Sequence, residues 1–357
     1  MKIARLTGRC QAEGETGLII DLIPLKYKPH PLRGTAIPGF GKHFLGYENL
    51  KQDMPTENVS ERFADIDNWS THSTVSAMFE AQLSAIAAIG PELATIAHAA
   101  EAASRRLMEG GRLVYAGAGT SGRIAVQDGV ELGPTFGWPA ARVAYALAGG
   151  RDALVGSVEL AEDDAEAAAH DLDKIAVAKN DVLVGVAASG RTPYTVGAIE
   201  KANGAGALTI GIANNRPSPL LDKAQIGICA ETGSEVIAGS TRMKAGTAQK
   251  AILNLFSTAT MIRCGRVYQG LMVDMVISNR KLKTRAVEIV GRLAGVDNAV
   301  AEAALDAAGG NIKLGVLCAL GMELDEAERL LSRRKGILRD AVIEMNENSA
   351  SRKEDRK

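Results

Sequence analysis

Residues 112–122 read RLVYAGAGTSG, and residues 181–193 read DVLVGVAASGRTP. Each begins as an apolar run of strand length and passes into a loop of glycine, serine and threonine. In the second, Thr192 fits a helix N-cap and Pro193 the first helical position. Residues 142–147, 207–213 (ALTIGIA) and 226–229 have the same apolar character. Helical stretches separate these runs. One ends near Glu131, where Gly133-Pro134 prevents continuation, one covers about residues 152–170, and a long apolar one covers residues 244–264. Near-continuous apolar strands alternating with helices predict an α/β fold, a parallel sheet covered by helices on both faces.

Outward from this centre the pattern changes. Residues 70–111 are alanine-rich and helical, interrupted at Gly90-Pro91 and closed by Gly110-Gly111. Beyond residue 284 come short helices, with Asp325 and Glu328 as a capping pair and Gly309-Gly310 as a stop. Residues 1–53 hold four of the 11 prolines and two of the five histidines, without useful periodicity. The organisation expected is an irregular or disordered arm over 1–53, a sheet domain with N-terminal helices over 54–285, a helical domain over 286–345 and a frayed tail over 346–357.

Composition narrows the partners. Of 357 residues 46% are hydrophobic and 23% charged, a globular profile with ample core. The net charge of −1 and the 4% aromatic content argue against nucleic acid or an anionic membrane, so a small molecule is the expected partner. Cys10, Cys229, Cys264 and Cys318 lie far apart without zinc spacing, and read as small hydrophobes of a reducing compartment, the cytoplasm. No uninterrupted apolar run of ~18 residues is present, and residues 17–25, which include Asp21, lack a downstream cleavage site.

The two glycine loops carry the chemistry. In an open parallel sheet ligands bind beyond the carboxyl ends of strands, where helix starts offer unpaired N–H groups to an anion. Two hydroxyl-rich loops of this kind favour an anion site over two plain strand–helix turns. The GAGTSG loop is not a dinucleotide fingerprint, since no acidic ribose ligand is fixed, and nothing matches GxxxxGK[ST]. A third segment, residues 235–244 (EVIAGSTRMK), either encloses a ligand or caps the long helix through Ser240 or Thr241. Glu131 alone reads as a surface carboxylate at a helix end. Glu162, inside the acidic run of residues 159–164, reads on residue type alone as part of a solvated helix face. His72, His98 and His170 have no triad-like neighbours and read as helix-face residues.

These stretches carry a resemblance. GRLVYAGAGTSGRIAVQDGVELGPTFG (111–137), VGVAASGRTPYTVG (184–197), the long string of residues 235–275 containing GSTRMKAGTAQK, and TENVSERFADIDNWST from Thr56 together resemble N-acetylmuramic acid 6-phosphate etherases. The likeness spans roughly residues 56–344. It implies a three-layer αβα sugar-isomerase (SIS) fold with a small C-terminal helical domain, a homodimer, and no metal or redox cofactor. It also implies conversion of N-acetylmuramic acid 6-phosphate and water to N-acetylglucosamine 6-phosphate and D-lactate in cell-wall amino-sugar recycling. Glu131 then matches the family's acid–base glutamate, and Glu162 its second active-site glutamate, which reverses the solvated-face reading. Ser189, Gly190 and Thr192 are expected to hold the phosphate, with Thr120 and Ser121 near the sugar. Where the family has Asp-Ala-Ser-Glu-Cys-Pro-Pro, this chain has Asp128-Gly129-Val130-Glu131-Leu132-Gly133-Pro134. A non-catalytic sugar-phosphate sensor and an aldose–ketose isomerase on the same fold are the competing functions. The resemblance begins two residues after Met54, so a chain starting at Met54 is expected to keep activity and melting temperature.

Overall fold

The computed structural model describes residues 54–354 except 157 and 159; the expectations for the arm over residues 1–53, and for Cys10, lie outside the described residues. Helix α1 (Thr71–Ala87) starts behind Ser70, whose hydroxyl accepts from the Ser73 N–H at 3.1 Å. A 3-10 turn at Gly90–Glu92 separates it from α2 (Leu93–Met108). The alternation then runs β1 (Leu113–Gly117), α3 (Gly119–Phe136), β2 (Val143–Leu147), α4 (Ala165–Ile175), β3 (Val182–Val186), α5 (Pro193–Gly204), β4 (Leu208–Ala213), α6 (Pro219–Lys223), β5 (Ile226–Cys229) and α7 (Lys244–Arg263).

All five strands are parallel, in the order β2-β1-β3-β4-β5. Successive strand residues point to opposite faces. Leu113, Tyr115, Val182, Val184 and Ile210 pack with α2, α3 and α7. Val114, Ala116 and Leu183 pack with α4, α5 and α6. Both faces are thus covered, which is why the strands read as unbroken apolar runs. Helix α1 lies along α7.

Two helix expectations change. Helix α3 does not stop near Glu131 but runs to Phe136 with Pro134 inside it, since proline forfeits a single ladder bond. The end comes at Gly137, left-handed at φ 58°, whose N–H reaches the Gly133 carbonyl at 2.9 Å. The helix expected over 152–170 is instead two 3-10 turns, Gly150–Leu154 and Ala161–Asp163, followed by α4. Left-handed backbone at Gly149 and Leu160 breaks the helical path, and Asp164 caps α4 by accepting from the Ala167 N–H at 2.8 Å.

One stretch, Thr71–Met108, is apolar enough over 18 positions to match a membrane span in length. Looking for unbroken apolar runs missed it because alanine raises the mean without forming a run. It comprises two helices broken at Gly90, and α2 buries Ile96, Ala99, Ala103 and Leu107 in the core under the sheet.

After a short antiparallel pair, β6 (Val267–Tyr268) and β7 (Leu271–Met272), five helices follow: α8 (Arg280–Ala294), α9 (Asn298–Ala307), α10 (Ile312–Ala319), α11 (Leu324–Arg333) and α12 (Leu338–Glu354). They share a core of their own, including Val287, Val290, Leu305, Val316, Leu317 and Leu330. The cap of α11 is Glu323, with no side-chain bond, so Asp325 lies in the first turn rather than at the cap. Gly309 and Gly310 do follow the end of α9. Helix α12 continues through residues 346–354 of the tail.

Candidate functional site

In the order β2-β1-β3 the chain leaves β1 on one side for β2 and returns on the other for β3. That reversal opens a crevice beyond the carboxyl ends of β1 and β3, the expected ligand position in an open α/β sheet. A cavity of about 360 Å³ lies there. Its walls come from the β1–α3 loop (Gly119, Thr120, Ser121), the β3–α5 loop (Ser189, Arg191, Thr192), the 3-10 turn carrying Glu162 and Asp163, Thr241 before α7, and the segment with Met54 and Glu57.

Helices α3 and α5 both start at this cavity, and neither N-cap makes a side-chain bond. Their first-turn N–H groups and positive dipole ends are therefore open to an anion. Thr192 does occupy the N-cap of α5, yet its hydroxyl bonds nothing within the described residues, and the same holds for Thr120 and Ser121. Ser189 Oγ accepts from the Arg191 N–H at 3.1 Å, which leaves its own proton free to donate. Gly190 does not itself line the cavity; it shapes the loop. Its φ of +66° suits glycine, and a Cβ there would stand 2.0 Å from Ser218 Oγ.

The acidic run splits by role. Asp164 is spent on capping α4, while Glu162 and Asp163 reach the cavity from the turn before it. Neither side chain forms a hydrogen bond or ion pair within the described residues. The run is not a helix face, which is the correction to the reading from residue type. Arg123 Nε holds the preceding segment by donating to the Ala153 carbonyl at 2.7 Å.

Glu131 is elsewhere. It is exposed on α3, eleven positions beyond Thr120, which is about 16 Å of helix rise. It does not line the cavity of its own chain. Next to it Val130 is 56% exposed. One turn inward, buried Asp128 accepts from Tyr115 Oη at 2.9 Å and from Ser257 Oγ at 3.1 Å, fastening α3 to β1 and α7. Burial pushes the Asp128 carboxyl above its usual range, against the pull of those two hydroxyls. The glycine that departs from the family pattern has a cause: a Cβ on Gly129 would stand 2.7 Å from the Tyr145 ring and 2.9 Å from Tyr115.

The segment before α7 gives Thr241 to the cavity, but the cap of α7 is neither Ser240 nor Thr241. The fully buried Glu235 accepts from the N–H groups of Lys244 and Ala245, each at 2.9 Å. Burial pushes the Cys229 and Cys264 thiols up to about 11, so neither is a ready nucleophile. Among the described residues no group of three His, Cys, Asp or Glu side chains is placed to hold a metal ion. Among the charged cavity residues, sequence reasoning missed Arg191, Glu57 and Asp163. Arg191 stands inside the quoted loop, and its charge was the available signal; Glu57 had only its place in the TEN string.

A parallel sheet with an anion-receptive, hydroxyl-lined crevice at its switch point defines a sugar-phosphate domain of the SIS class, and residues 159–259 match the SIS domain family. Residues 95–203 match the glucokinase regulatory protein N-terminal SIS domain. The chain belongs to the N-acetylmuramic acid 6-phosphate etherase family. It is 43% identical to the N-acetylmuramic acid 6-phosphate etherase of Deinococcus radiodurans, over 81% of this chain and 95% of that protein. With the etherase of Rubrobacter xylanophilus the identity is 46%, over 78% and 93%. Among solved structures, a phosphoheptose isomerase from Francisella tularensis is similar at 19% identity and a TM-score of 0.40, covering 55% of this chain and 98% of that one.

Proposed function

We propose that this chain is a carbon–oxygen lyase of the cytoplasm, acting on N-acetylmuramic acid 6-phosphate. With water it releases D-lactate and leaves N-acetylglucosamine 6-phosphate, a step of cell-wall amino-sugar recycling. The observation that carries the reading is Glu162, without a side-chain partner among the described residues, in the same cavity as the two uncapped helix starts, in a chain 43–46% identical to proteins of that name. The phosphate rests on Ser189, Thr192 and the α5 N-terminus, while Thr120 and Ser121 face the sugar. Opening the ring gives an aldehyde that acidifies the C2 proton. A carboxylate takes that proton, the lactate oxygen leaves C3 with a proton, and water adds across the resulting double bond.

Glu131 enters this scheme only from a second copy, because its own cavity lies beyond its reach. The helix layer that carries it supports such a pairing. Helix α7 contacts both α1 and α3. Val75, Phe79, Leu83 and Ile86 on α1, Leu255 and Ile262 on α7, and Val130 on α3 are all exposed. The proposed assembly is a homodimer through this layer, each copy lending Glu131 to the other's cavity.

Intragenic complementation tests both parts. Glu131→Gln and Glu162→Gln homodimers are each expected to lose ~10²-fold or more in lactate release while staying folded. Mixed dimers hold one intact site of two, so co-expression restores up to about a quarter of wild-type activity. No rescue sinks the shared site, and no lactate from the wild type sinks the reaction. The match to the glucokinase regulatory protein domain favours one other reading, a non-catalytic sensor, which binds the sugar phosphate without lactate release. Ketose formation without lactate marks an isomerase instead.

A further inference from the structure

The cavity holds a carboxylate with no assigned task. Glu57 is half-buried in its wall, and its side chain forms no hydrogen bond or ion pair within the described residues. A structural carboxylate in such a position ordinarily has donors around it. Its surroundings are instead arranged to hold it still while leaving its oxygens free.

Two independent features do this. The first is Thr56, 1% exposed, which is clamped on three sides. Its N–H donates to Asn215 Oδ1 at 3.3 Å, its hydroxyl accepts from Asn215 Nδ2 at 3.0 Å, and its carbonyl accepts from the Gly239 N–H at 3.0 Å. The same Asn215 amide donates to the carbonyl of Ala188 at 2.8 Å, next to Ser189. One side chain thus fixes the position of residue 57 against the loop expected to hold phosphate. The second feature is Gly239, at φ +75°, where a Cβ would stand 2.9 Å from Glu57 Oε2. Any larger residue there strains the backbone and displaces the carboxylate.

We infer that Glu57 is a substrate-binding residue, an acceptor for the hydroxyl or acetamido N–H donors of an amino-sugar phosphate whose phosphate is seated on the Ser189–Thr192 loop. An ionised carboxylate accepts and does not donate, so its targets are the sugar's donor groups and not its anionic ends. The assignment rests on the sugar-phosphate reading of the cavity, not on the lactate chemistry.

The test uses the full chain with Glu57→Ala and Glu57→Gln, and N-acetylglucosamine 6-phosphate and inorganic phosphate as calorimetric probes. Glu57→Ala is expected to weaken the sugar phosphate at least tenfold and to leave inorganic phosphate and the melting temperature unchanged. Glu57→Gln, which keeps one acceptor oxygen, is expected to recover part of the loss. Sugar-phosphate affinity within twofold of wild type in Glu57→Ala overturns the assignment. So does an equal loss for both probes, which would make Glu57 a wall residue. Wild-type chain that binds no sugar phosphate overturns the assignment together with the cavity reading. Wild-type chain that binds it but releases no lactate overturns only the reaction.

Discussion

Strands β1 and β3 have two ends, and the chain treats them in opposite ways. At the amino end Arg112 and Asp181 saturate each other. Asp181 accepts from the Arg112 N–H at 2.9 Å, from its guanidinium at 2.6 and 3.2 Å, and from the Ala178 N–H at 3.0 Å. The remaining guanidinium donors reach the carbonyls of Ile175 and Ala176. Beside them Arg142 lies 4.3 Å over the Trp138 ring and donates to the Gly111 carbonyl. At the carboxyl end Glu57, Glu162, Asp163, Thr120, Ser121 and Thr192 have side chains with no hydrogen-bond partner among the described residues, and two helices start uncapped. Polar groups left open in a crevice stabilise nothing in the fold until a ligand or water meets them. The contrast separates stability from recognition along the same pair of strands.

The strongest way to break this contrast is at the amino end. Asp181→Asn is expected to cost about 3 kcal/mol, the low end for a broken buried pair because Arg112 keeps 28% of its side chain exposed. Burial tends to raise the Asp181 carboxyl, but the Arg112 hydrogen bonds outweigh it and hold it below the usual carboxylate range. A lowered folded value contributes stability above the unfolded value of about 4, lost as pH falls through the folded one. Urea unfolding at pH 7 should therefore separate the variant from wild type more than unfolding near pH 3, with turnover per folded molecule unchanged at neutral pH. Equal separation at both values would remove Asp181 from the pair.

Ser189→Ala sharpens the contrast from the other end. Losing a hydroxyl donor to an ionised phosphate is expected to cost about 1.5–3 kcal/mol of binding, with little change in melting temperature. The unphosphorylated sugar should be a poor ligand and should hardly notice the change. Equal losses for both sugars would reduce Ser189 to the turn bond it makes with Arg191. The smallest effect belongs to Arg191→Gln. This partly exposed cation lines the cavity without a side-chain partner among the described residues. Its loss is expected to weaken the anion by about 1 kcal/mol or less, more at low salt than at high. A melting temperature lower by several degrees would show that the side chain has structural work at this end too.

Reading the chain in advance worked where the signal was local. Strands buried on both faces show as unbroken apolar runs, and the sheet could be assembled from them. Thr120, Ser121, Glu162, Ser189 and Thr192 line one cavity, because strand-end loops converge wherever a parallel sheet reverses its order. Sequence periodicity failed where one residue decides the path: left-handed Leu160 and the Asp164 cap turn an apparent helix into two turns. It also failed where the partner is distant in sequence. Glu235 caps a helix nine positions downstream, and Glu57 reaches the cavity through an amide on Asn215. Glu131 read as a residue at a helix end, whereas α3 runs on through Pro134 to Phe136.

The Thr56–Asn215 clamp joins residues 159 positions apart. Time therefore enters the assembly of the cavity. During synthesis the β1–α3 loop is made early, but the wall bearing Glu57 has nothing to grip until β4 and the Asn215 turn have been made. Thr241, the last lining residue, comes later still. At about 5–20 residues per second the interval from that loop to Thr241 is roughly six to twenty-four seconds, during which the sheet can begin to pair while the binding site does not yet exist.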